Sequence, residues 1–99
     1  MTVRVLYRWQ VPSEAFEAFK ETWRATTNHI HDTVPGAQGS FLLRSSENPT
    51  EVLTIAKWDT LESWKKFYGQ RNPEAMKAMR ELATRISVEA FDEIEDHTR

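Results

Sequence analysis

Apolar and polar residues alternate strictly at the start of the chain. Apolar residues occupy every second position from 3 to 11, and mostly polar residues lie between them. This two-residue period is typical of a β-strand that buries one face. The pattern predicts a first strand that ends at Pro12, and Ser13 is expected to cap the helix that follows. The predicted buried face consists of Val3, Val5, Tyr7, Trp9 and Val11.

After Pro12 the apolar residues recur at intervals of three or four, which predicts a helix with one buried face. We expect this helix to end near Pro35-Gly36, since proline and glycine together stop a helix. Its predicted inner face consists of Phe16, Phe19, Trp23, Thr26 and Ile30.

Two strand-like runs follow, AQGSFLLRS and EVLTIAKW, and the segment SENPT between them suits a hairpin loop. We therefore expect these strands to pair antiparallel. A second helix is predicted after Trp58, with Asp59 as its N-cap, Glu62 placed for a capping box and Gly69 at its end. The inner side of this helix carries Leu61, Trp64, Phe67 and Tyr68.

The helical pattern starts again at Asn72 and Pro73, which suit an N-cap and a first helical position. The segment RISVEAFDEIE then predicts a last strand. The apolar stripe of the restarted helix consists of Met76, Met79, Leu82 and Ala83. The last strand is predicted to alternate Ile86, Val88 and Ala90 against Ser87, Glu89 and Phe91.

The predicted order is β-α-β-β-α-β with the second helix broken. This is the ferredoxin-like arrangement, an α+β fold with a four-stranded antiparallel sheet and its helices on one face. No repeat or linker divides the sequence, so we expect a single domain over residues 1–99. The second and third strands are apolar on both sides, whereas a sheet wetted on one face alternates cleanly. A second copy of the sheet is the expected cover, which predicts a symmetric homodimer.

Charge and composition exclude several classes of partner. The formal net charge is −2 with both signs interspersed, which argues against nucleic acid and anionic membranes. The chain has no cysteine, so disulfides and thiolate metal sites are excluded. No apolar run approaches the length of a membrane span, and the N-terminus lacks a signal-peptide core. We expect a cytoplasmic protein.

The segment NHIHD places His29, His31 and Asp32 close together in the sequence. Residues two apart on a helix point in nearly opposite directions, so these histidines cannot share an ion there, and no metal is expected. A pair that interacts with the dipole at the helix end is the better interpretation. One of them could still act as a base if the helix borders a cleft, and we assign that role to His29.

Aromatic residues are the other candidates for a site. Trp58 fits either the core or the wall of a cleft for a flat ligand, whereas Trp64 fits the core more readily. Tyr7 could donate a hydrogen bond to a substrate oxygen. Arg44 could hold a phenolate or a carboxylate, although an ion pair with an acidic residue is the simpler role. The other residues expected to line the cleft are Trp23, Phe67 and Met76.

Three segments carry a family resemblance: VRVLYRWQVPSEAFEAFKETW, PGAQGSFLLRS and EVLTIAKWDTLESW. The chain resembles the antibiotic biosynthesis monooxygenase domain family from Val3 to Glu95. The resemblance implies a dimeric α/β barrel with an apolar cleft between sheet and helices, and it places Trp58 at or near that cleft. Family members include oxygenases without a cofactor that act on polycyclic phenols, quinols and anthrones, and in which the electron-rich substrate reduces oxygen directly.

Relatives that break haem open can be tested by position. Their pattern has an asparagine in the first strand, a tryptophan in the broken helix and, further on, a histidine that binds iron. Aligned on Trp58, these positions hold Tyr7, Phe67 and either Met76 or Lys77. A protonated lysine is a poor iron ligand and methionine an unusual sole ligand, so haem cleavage is disfavoured. Many other members place a histidine where Phe67 stands, so this chain must do without it as a base.

The sequence therefore predicts a cofactor-independent monooxygenase that acts on an aromatic or polycyclic phenol or quinol. Trp58 would stack on the substrate, and Tyr7 or a histidine would bind or deprotonate the substrate oxygen. One alternative is a non-catalytic member that binds a small hydrophobic metabolite or serves as an interaction domain. Another is an isomerase or lyase, because the fold also hosts proton-transfer chemistry.

Overall fold

The computed structural model describes residues 1–70 and 76–98. The predicted N-cap at Asn72 and first helical position at Pro73 lie outside these residues. The elements, in chain order, are β1 (Val3–Gln10), a 3-10 turn (Ser13–Ala15), α1 (Phe16–Thr33), β2 (Ala37–Arg44), β3 (Glu51–Trp58), α2 (Leu61–Gln70), α3 (Lys77–Leu82) and β4 (Thr84–Asp92).

The four strands form one antiparallel sheet in the order β2-β3-β1-β4. This confirms the predicted ferredoxin-like α+β fold. The register places Tyr7 of β1 opposite Thr54 of β3, and Trp9 opposite Val52. Residues opposite each other on paired strands share a face, so Tyr7 and Thr54 lie side by side under the helices.

The core lies between the helices and one face of β1 and β3. The alternation predicted for β1 is confirmed, because all five apolar residues from Val3 to Val11 are at most 4% exposed. They pack against residues from the other elements, including Phe19 of α1, Val52 of β3 and Met79 of α3. The central strand is therefore buried on the helix side along its whole length.

Helix α1 begins later than predicted. Ser13 starts the 3-10 turn, and the first α-helical residue is Phe16, with no side chain capping the helix. The Ala15 N–H donates to the Pro12 carbonyl at 2.9 Å, which closes a tighter turn before the α-helix starts. The prediction of Ser13 as N-cap is therefore wrong.

Helix α2 also begins one residue later than predicted. The Thr60 hydroxyl accepts a hydrogen bond from the Ser63 N–H at 3.1 Å, which is the N-cap geometry that was expected from Asp59 and Glu62. Asp59 instead donates its own N–H to the Gly36 carbonyl at 2.9 Å. Asp59 therefore ties the start of α2 to the end of α1 instead of capping the helix.

Three further details of the elements differ from the predictions. Leu61 lies on the outside of α2 and is 37% exposed. The helix continues through Gly69 to Gln70, and Gly69 does not adopt the positive φ of a helix-ending glycine. A bulge in β4 shifts the pairing so that Arg8 faces Ser87 and Trp9 faces Arg85. The residue between them, Ile86, is consequently 61% exposed, and of the predicted inner residues of this strand only Val88 is partly buried, whereas Ala90 is exposed.

The second face of the sheet carries large apolar residues at the surface. In this single chain Phe41 and Leu43 of β2 and Phe91 of β4 are 55%, 47% and 49% exposed. They lie on the side away from the helices, since their neighbours in the sequence pair with helix-facing residues. This surface, Phe41, Leu43 and Phe91, is called the open face below. In the part of the chain that is described, no helix has the length and apolar character of a membrane span.

Candidate active site

A cavity of about 50 Å³ lies between α1 and the helix-facing side of the sheet. Strands β1 and β3 form its floor, where Tyr7, Thr54 and Ala56 line it, and Trp58 closes the end of β3. The period of two along each strand brings these side chains to one face. The site is therefore built on the two central strands, which are also the best-buried part of the fold.

Helix α1 forms one wall of the cavity. Trp23, Thr27, Ile30 and His31 line it, and their spacing of three and four residues gives them one side of the helix. His31 lies at the mouth, since 56% of its side chain is exposed. His29 does not line the cavity, because it is two residues from His31 and faces elsewhere on the helix.

Aromatic and methionine side chains form the opposite wall. The rings of Trp58 and Phe67 pack with their centroids 5.2 Å apart, and Met76 and Met79 complete this side. Aromatic faces and polarisable thioethers suit a flat apolar ligand. Among the residues that are described, the Trp58 indole N–H has no hydrogen-bond partner.

Tyr7 is the central polar residue of the floor, and it is only 4% exposed. Its hydroxyl oxygen accepts a hydrogen bond from the Trp64 indole N–H at 3.1 Å. Burial raises the pKa of Tyr7 to about 12, and the hydrogen bond from Trp64 only partly opposes this effect. Tyr7 is therefore neutral at physiological pH and can donate a proton in a hydrogen bond, but it is unsuited to be the base.

Five of the eight site residues predicted from the sequence meet at this cavity. The other three are elsewhere: His29 faces away, Trp64 reaches the site only through Tyr7, and Arg44 stacks on the Phe16 ring at 4.2 Å. The five that line the cavity are Trp58, Tyr7, Trp23, Phe67 and Met76.

Several cavity residues were not predicted from the sequence, Thr54 among them, and His29 was chosen as the base where His31 lines the cavity. Thr54 stands in the middle of EVLTIAKW, and the antiparallel pairing of β1 with β3 brings it opposite Tyr7. Counting back from the strand ends would have suggested this pairing. His31 continues the i, i+4 series of Trp23 and Thr27, which was the available signal for choosing it over His29.

The acidic and imidazole groups do not form a metal site in the described part of the chain. No group of three or more His, Cys, Asp or Glu side chains there is arranged to hold an ion. The groups that line the cavity are hydroxyls, aromatic rings, thioethers and aliphatic side chains, together with the Lys57 side chain and one imidazole at the mouth. Their chemistry is that of binding an aromatic ligand and donating hydrogen bonds to it.

Solved structures with the same fold span almost the whole chain. A single-substitution variant of SnoaB, a cofactor-independent oxygenase from Streptomyces nogalater, superposes with a TM-score of 0.79 at 20% identity, covering 99% of this chain and 98% of that chain. A candidate antibiotic biosynthesis monooxygenase from Bordetella bronchiseptica gives 0.81 at 16% identity, covering 95% and 98%. Rv0793 from Mycobacterium tuberculosis gives 0.73 at 16% identity, covering 99% and 100%. At these identities the likeness is one of fold.

The sequence itself gives the family. No curated protein matches it significantly. Residues 2–82 match the family described as antibiotic biosynthesis monooxygenase, a range that contains the strands β1, β2 and β3 and the helices α1, α2 and α3. The chain therefore belongs to the antibiotic biosynthesis monooxygenase family.

Proposed function

We propose that the protein is a monooxygenase that needs no bound cofactor and oxidises an aromatic phenol, quinol or anthrone in the cavity between α1 and the sheet. The observation that carries this proposal is the cavity itself, in which Trp23, Trp58 and Phe67 surround a buried phenol donor, Tyr7. Such walls bind flat apolar rings, and the few polar groups orient them. Family membership and the shared fold with the oxygenase SnoaB support the reaction class.

The proposed chemistry relies on the substrate as the reductant. Loss of a proton converts an anthrone or quinol into an electron-rich anion that can reduce molecular oxygen directly. For an anthrone, one oxygen atom ends on the carbon that lost its protons, giving the quinone, and the other leaves as water. The protein then has three tasks: to orient the ring, to stabilise the anionic oxygen and to accept the proton.

Two of these tasks fall to residues of the floor and the walls. Trp58 and Phe67 hold the ring by stacking, since their own rings already pack together at 5.2 Å. Tyr7 donates a hydrogen bond to the substrate oxygen, because its raised pKa of about 12 keeps the proton on the phenol. A donor in a dry site stabilises a developing oxyanion more strongly than water does.

The third task, proton acceptance, falls to His31. It is the one imidazole that lines the cavity among the residues described, and its exposure at the mouth lets it pass the proton to solvent. Imidazole is the side chain best suited to proton transfer near neutral pH. His31 replaces His29 as the base of the proposed reaction because, of these two histidines, only His31 lines the cavity.

The size of the cavity adds a requirement for binding. A volume of about 50 Å³ holds a few waters, because one water needs about 10–15 Å³. A polycyclic substrate is larger, so it extends through the mouth past His31 or displaces the flexible methionines of the wall. Met76 and Met79 suit the second role, since unbranched thioethers change rotamer readily.

Oxygen uptake tests the proposal. Metal-free protein is mixed with anthrone or a quinol in an oxygen electrode, and the rate is compared with the autoxidation blank. We expect uptake above the blank, and we expect His31→Gln to lower it about tenfold or more because the base is lost. His29→Gln is the matched control and should leave the rate unchanged, since His29 does not line the cavity.

The competing functions give different results in the same experiment. Uptake equal to the blank, together with tight binding of the aromatic compounds, would favour a non-catalytic binding domain. Turnover of a substrate without oxygen consumption would favour an isomerase or a lyase. Equal losses in both histidine variants would remove His31 from its role and leave the oxygenase proposal in place.

A further inference from the structure

Three of the four tryptophans donate their indole N–H to hydroxyls that line the same cavity. Trp9 donates to Thr54 Oγ1 at 3.1 Å, Trp64 to Tyr7 Oη at 3.1 Å and Trp23 to Ser40 Oγ at 3.3 Å. We propose that Trp9 and Trp64 fix Thr54 and Tyr7 as hydrogen-bond donors, so that the cavity selects ligands with an acceptor oxygen. This inference deepens the proposed function and rests on the same cavity.

Indole and hydroxyl groups differ in the hydrogen bonds that they can make. An indole N–H can only donate, whereas a hydroxyl can both donate and accept. When the indole occupies a lone pair of the hydroxyl oxygen, the hydroxyl proton must turn to a different acceptor. Each indole therefore sets the polarity of the hydroxyl that it contacts.

Thr54 and Tyr7 have no such acceptor in the described part of the chain. Thr54 is 3% exposed and Tyr7 is 4% exposed, and neither hydroxyl donates to a described residue. A buried donor without an acceptor costs free energy, so both protons favour an acceptor that enters the cavity. A ligand carbonyl or phenolate oxygen supplies that acceptor.

Ser40 differs from the other two residues because its hydroxyl has an acceptor of its own. Its hydroxyl accepts from Trp23 but also donates to the Phe41 carbonyl at 3.3 Å, so its proton is already in use. Of the three hydroxyls that accept from an indole, Tyr7 and Thr54 therefore keep a proton without a described acceptor, and these two residues lie directly opposite each other on β1 and β3. We therefore assign the selection of ligands with an acceptor oxygen to Tyr7 and Thr54.

The donor pair makes a specific demand on the ligand. A ring with a carbonyl or an ionised phenol offers these protons an acceptor, whereas the matching hydrocarbon leaves them unpaired in a dry site. Thr54 and Tyr7 contact the ligand in this account. Trp9 and Trp64 are positioning residues, because they act on the ligand only through the hydroxyls that they hold.

The test compares two unreactive probes that differ by one oxygen. 1-Tetralone has a carbonyl and tetralin is the corresponding hydrocarbon, and calorimetry gives the dissociation constant of each. The measured quantity is the ratio of the tetralin constant to the tetralone constant. Tyr7→Phe and Thr54→Val are each expected to lower this ratio about two- to tenfold, the usual effect of one lost hydrogen bond.

Variants of the two positioning tryptophans, and one variant that keeps the Thr54 hydroxyl, separate the proposed role from a purely structural one. Trp64→Phe and Trp9→Phe keep a ring but remove the N–H, and we expect the ratio to fall while tetralin affinity stays within about twofold. A purely structural role would change both constants together. Thr54→Ser keeps the hydroxyl and should keep the wild-type ratio.

Two results would overturn the inference. One is a ratio that stays at the wild-type value in Tyr7→Phe and in Thr54→Val, with both variants folded by circular dichroism. The other is a wild-type protein that binds neither probe. This test can be distinguished from the test of the proposed function. If the ratio falls as expected in the variants but the protein consumes no oxygen, the oxygenase proposal is wrong and the inference about Tyr7 and Thr54 stands.

Discussion

Tyr7 combines three properties that together define its role. It stands opposite Thr54 in the sheet, it accepts a hydrogen bond from Trp64, and burial raises its pKa to about 12. The raised pKa means that the phenol stays neutral in the folded protein over the whole physiological range. A neutral donor that is already held by an indole is well suited to orient a substrate oxygen.

The raised pKa of Tyr7 predicts a loss of stability at alkaline pH. Below pH 10 the phenol is neutral in both the folded and the unfolded chain, so it adds no pH dependence. Between about pH 10 and pH 12 the unfolded chain ionises first, which lowers the free energy of unfolding as pH rises. The loss approaches about 2–3 kcal/mol above pH 12, at 1.36 kcal/mol per pKa unit.

Urea unfolding between pH 8 and pH 11.5 checks this prediction. Tyr7→Phe has no phenol at this position, so its free energy of unfolding should fall less steeply above pH 10 than that of the wild type. All other residues are identical in the two proteins, so the comparison isolates the contribution of the phenol at position 7. Parallel curves for the two proteins would show that Tyr7 ionises as easily in the folded chain as in the unfolded one.

At the scale of the elements, the join between α1 and α2 holds the wall of the cavity in place. Gly36 follows α1, has φ +91°, and accepts the Asp59 N–H at the start of α2. Its Cα approaches α2 so closely that a Cβ there would lie 2.5 Å from Asp59 Oδ1 and 2.7 Å from Ser63 Cβ. Gly39 in β2 has a similar φ of +103° but open space around it.

These two glycines form a matched pair for a stability prediction. Gly39→Ala meets only the backbone strain of a positive φ, about 1–2 kcal/mol. Gly36→Ala meets the same strain and a clash with α2, so we expect a loss of about 3 kcal/mol or more. Thermal or urea unfolding of the two variants measures the difference. Equal losses would mean that α2 moves aside at little cost.

The helices and strands were predicted from the sequence more accurately than the residues that cap them. Apolar residues spaced two apart predict the strands β1, β2 and β3, and a spacing of three to four predicts α1. These predictions succeed because the spacing of apolar residues follows from the burial of one face of each element. The caps at Ser13 and Asp59 were each misplaced, since Thr60 and the Pro12 turn compete with them locally. Which residue starts the helix depends on a few local hydrogen bonds, and residue type alone does not predict which of them forms.

The site was predictable only in part for a different reason. Trp58 and Tyr7 stand out by their type and position, so their place at the cavity could be expected. The partnership of Trp9 with Thr54 depends on strand register, and the choice of His31 over His29 depends on how α1 is rotated against the sheet. Register and rotation are properties of the packed molecule.

At the scale of the whole molecule, the open face predicts self-association. Its large apolar side chains Phe41, Leu43 and Phe91 are about half exposed in the single chain. Large apolar side chains exposed on both edge strands of one sheet face favour an interface, and a symmetric sheet-on-sheet contact would cover them in both copies at once. We therefore expect a homodimer that buries the open face and leaves the cavity on the outer, helix-covered side.

Light scattering of the wild type and two leucine variants tests the dimer. Leu43→Glu places a charge in the open face and should give a monomer at micromolar concentration. Leu61→Glu makes the same change at an exposed leucine on α2, and it should leave the dimer intact. A wild-type monomer, or a dimer that survives Leu43→Glu, would contradict this prediction.

The most direct test measures oxygen uptake with anthrone by the metal-free wild type and by a variant in which a larger side chain fills the cavity. Ala56 lines the cavity floor, so Ala56→Leu should occupy the space of the substrate, whereas Ala18→Leu adds the same carbons on the exposed side of α1. We predict uptake above the autoxidation blank in the wild type and in Ala18→Leu, and a rate near the blank in folded Ala56→Leu. Uptake that is unchanged by Ala56→Leu, or absent from the wild type, would contradict the claim that this cavity is the site of an oxygenase.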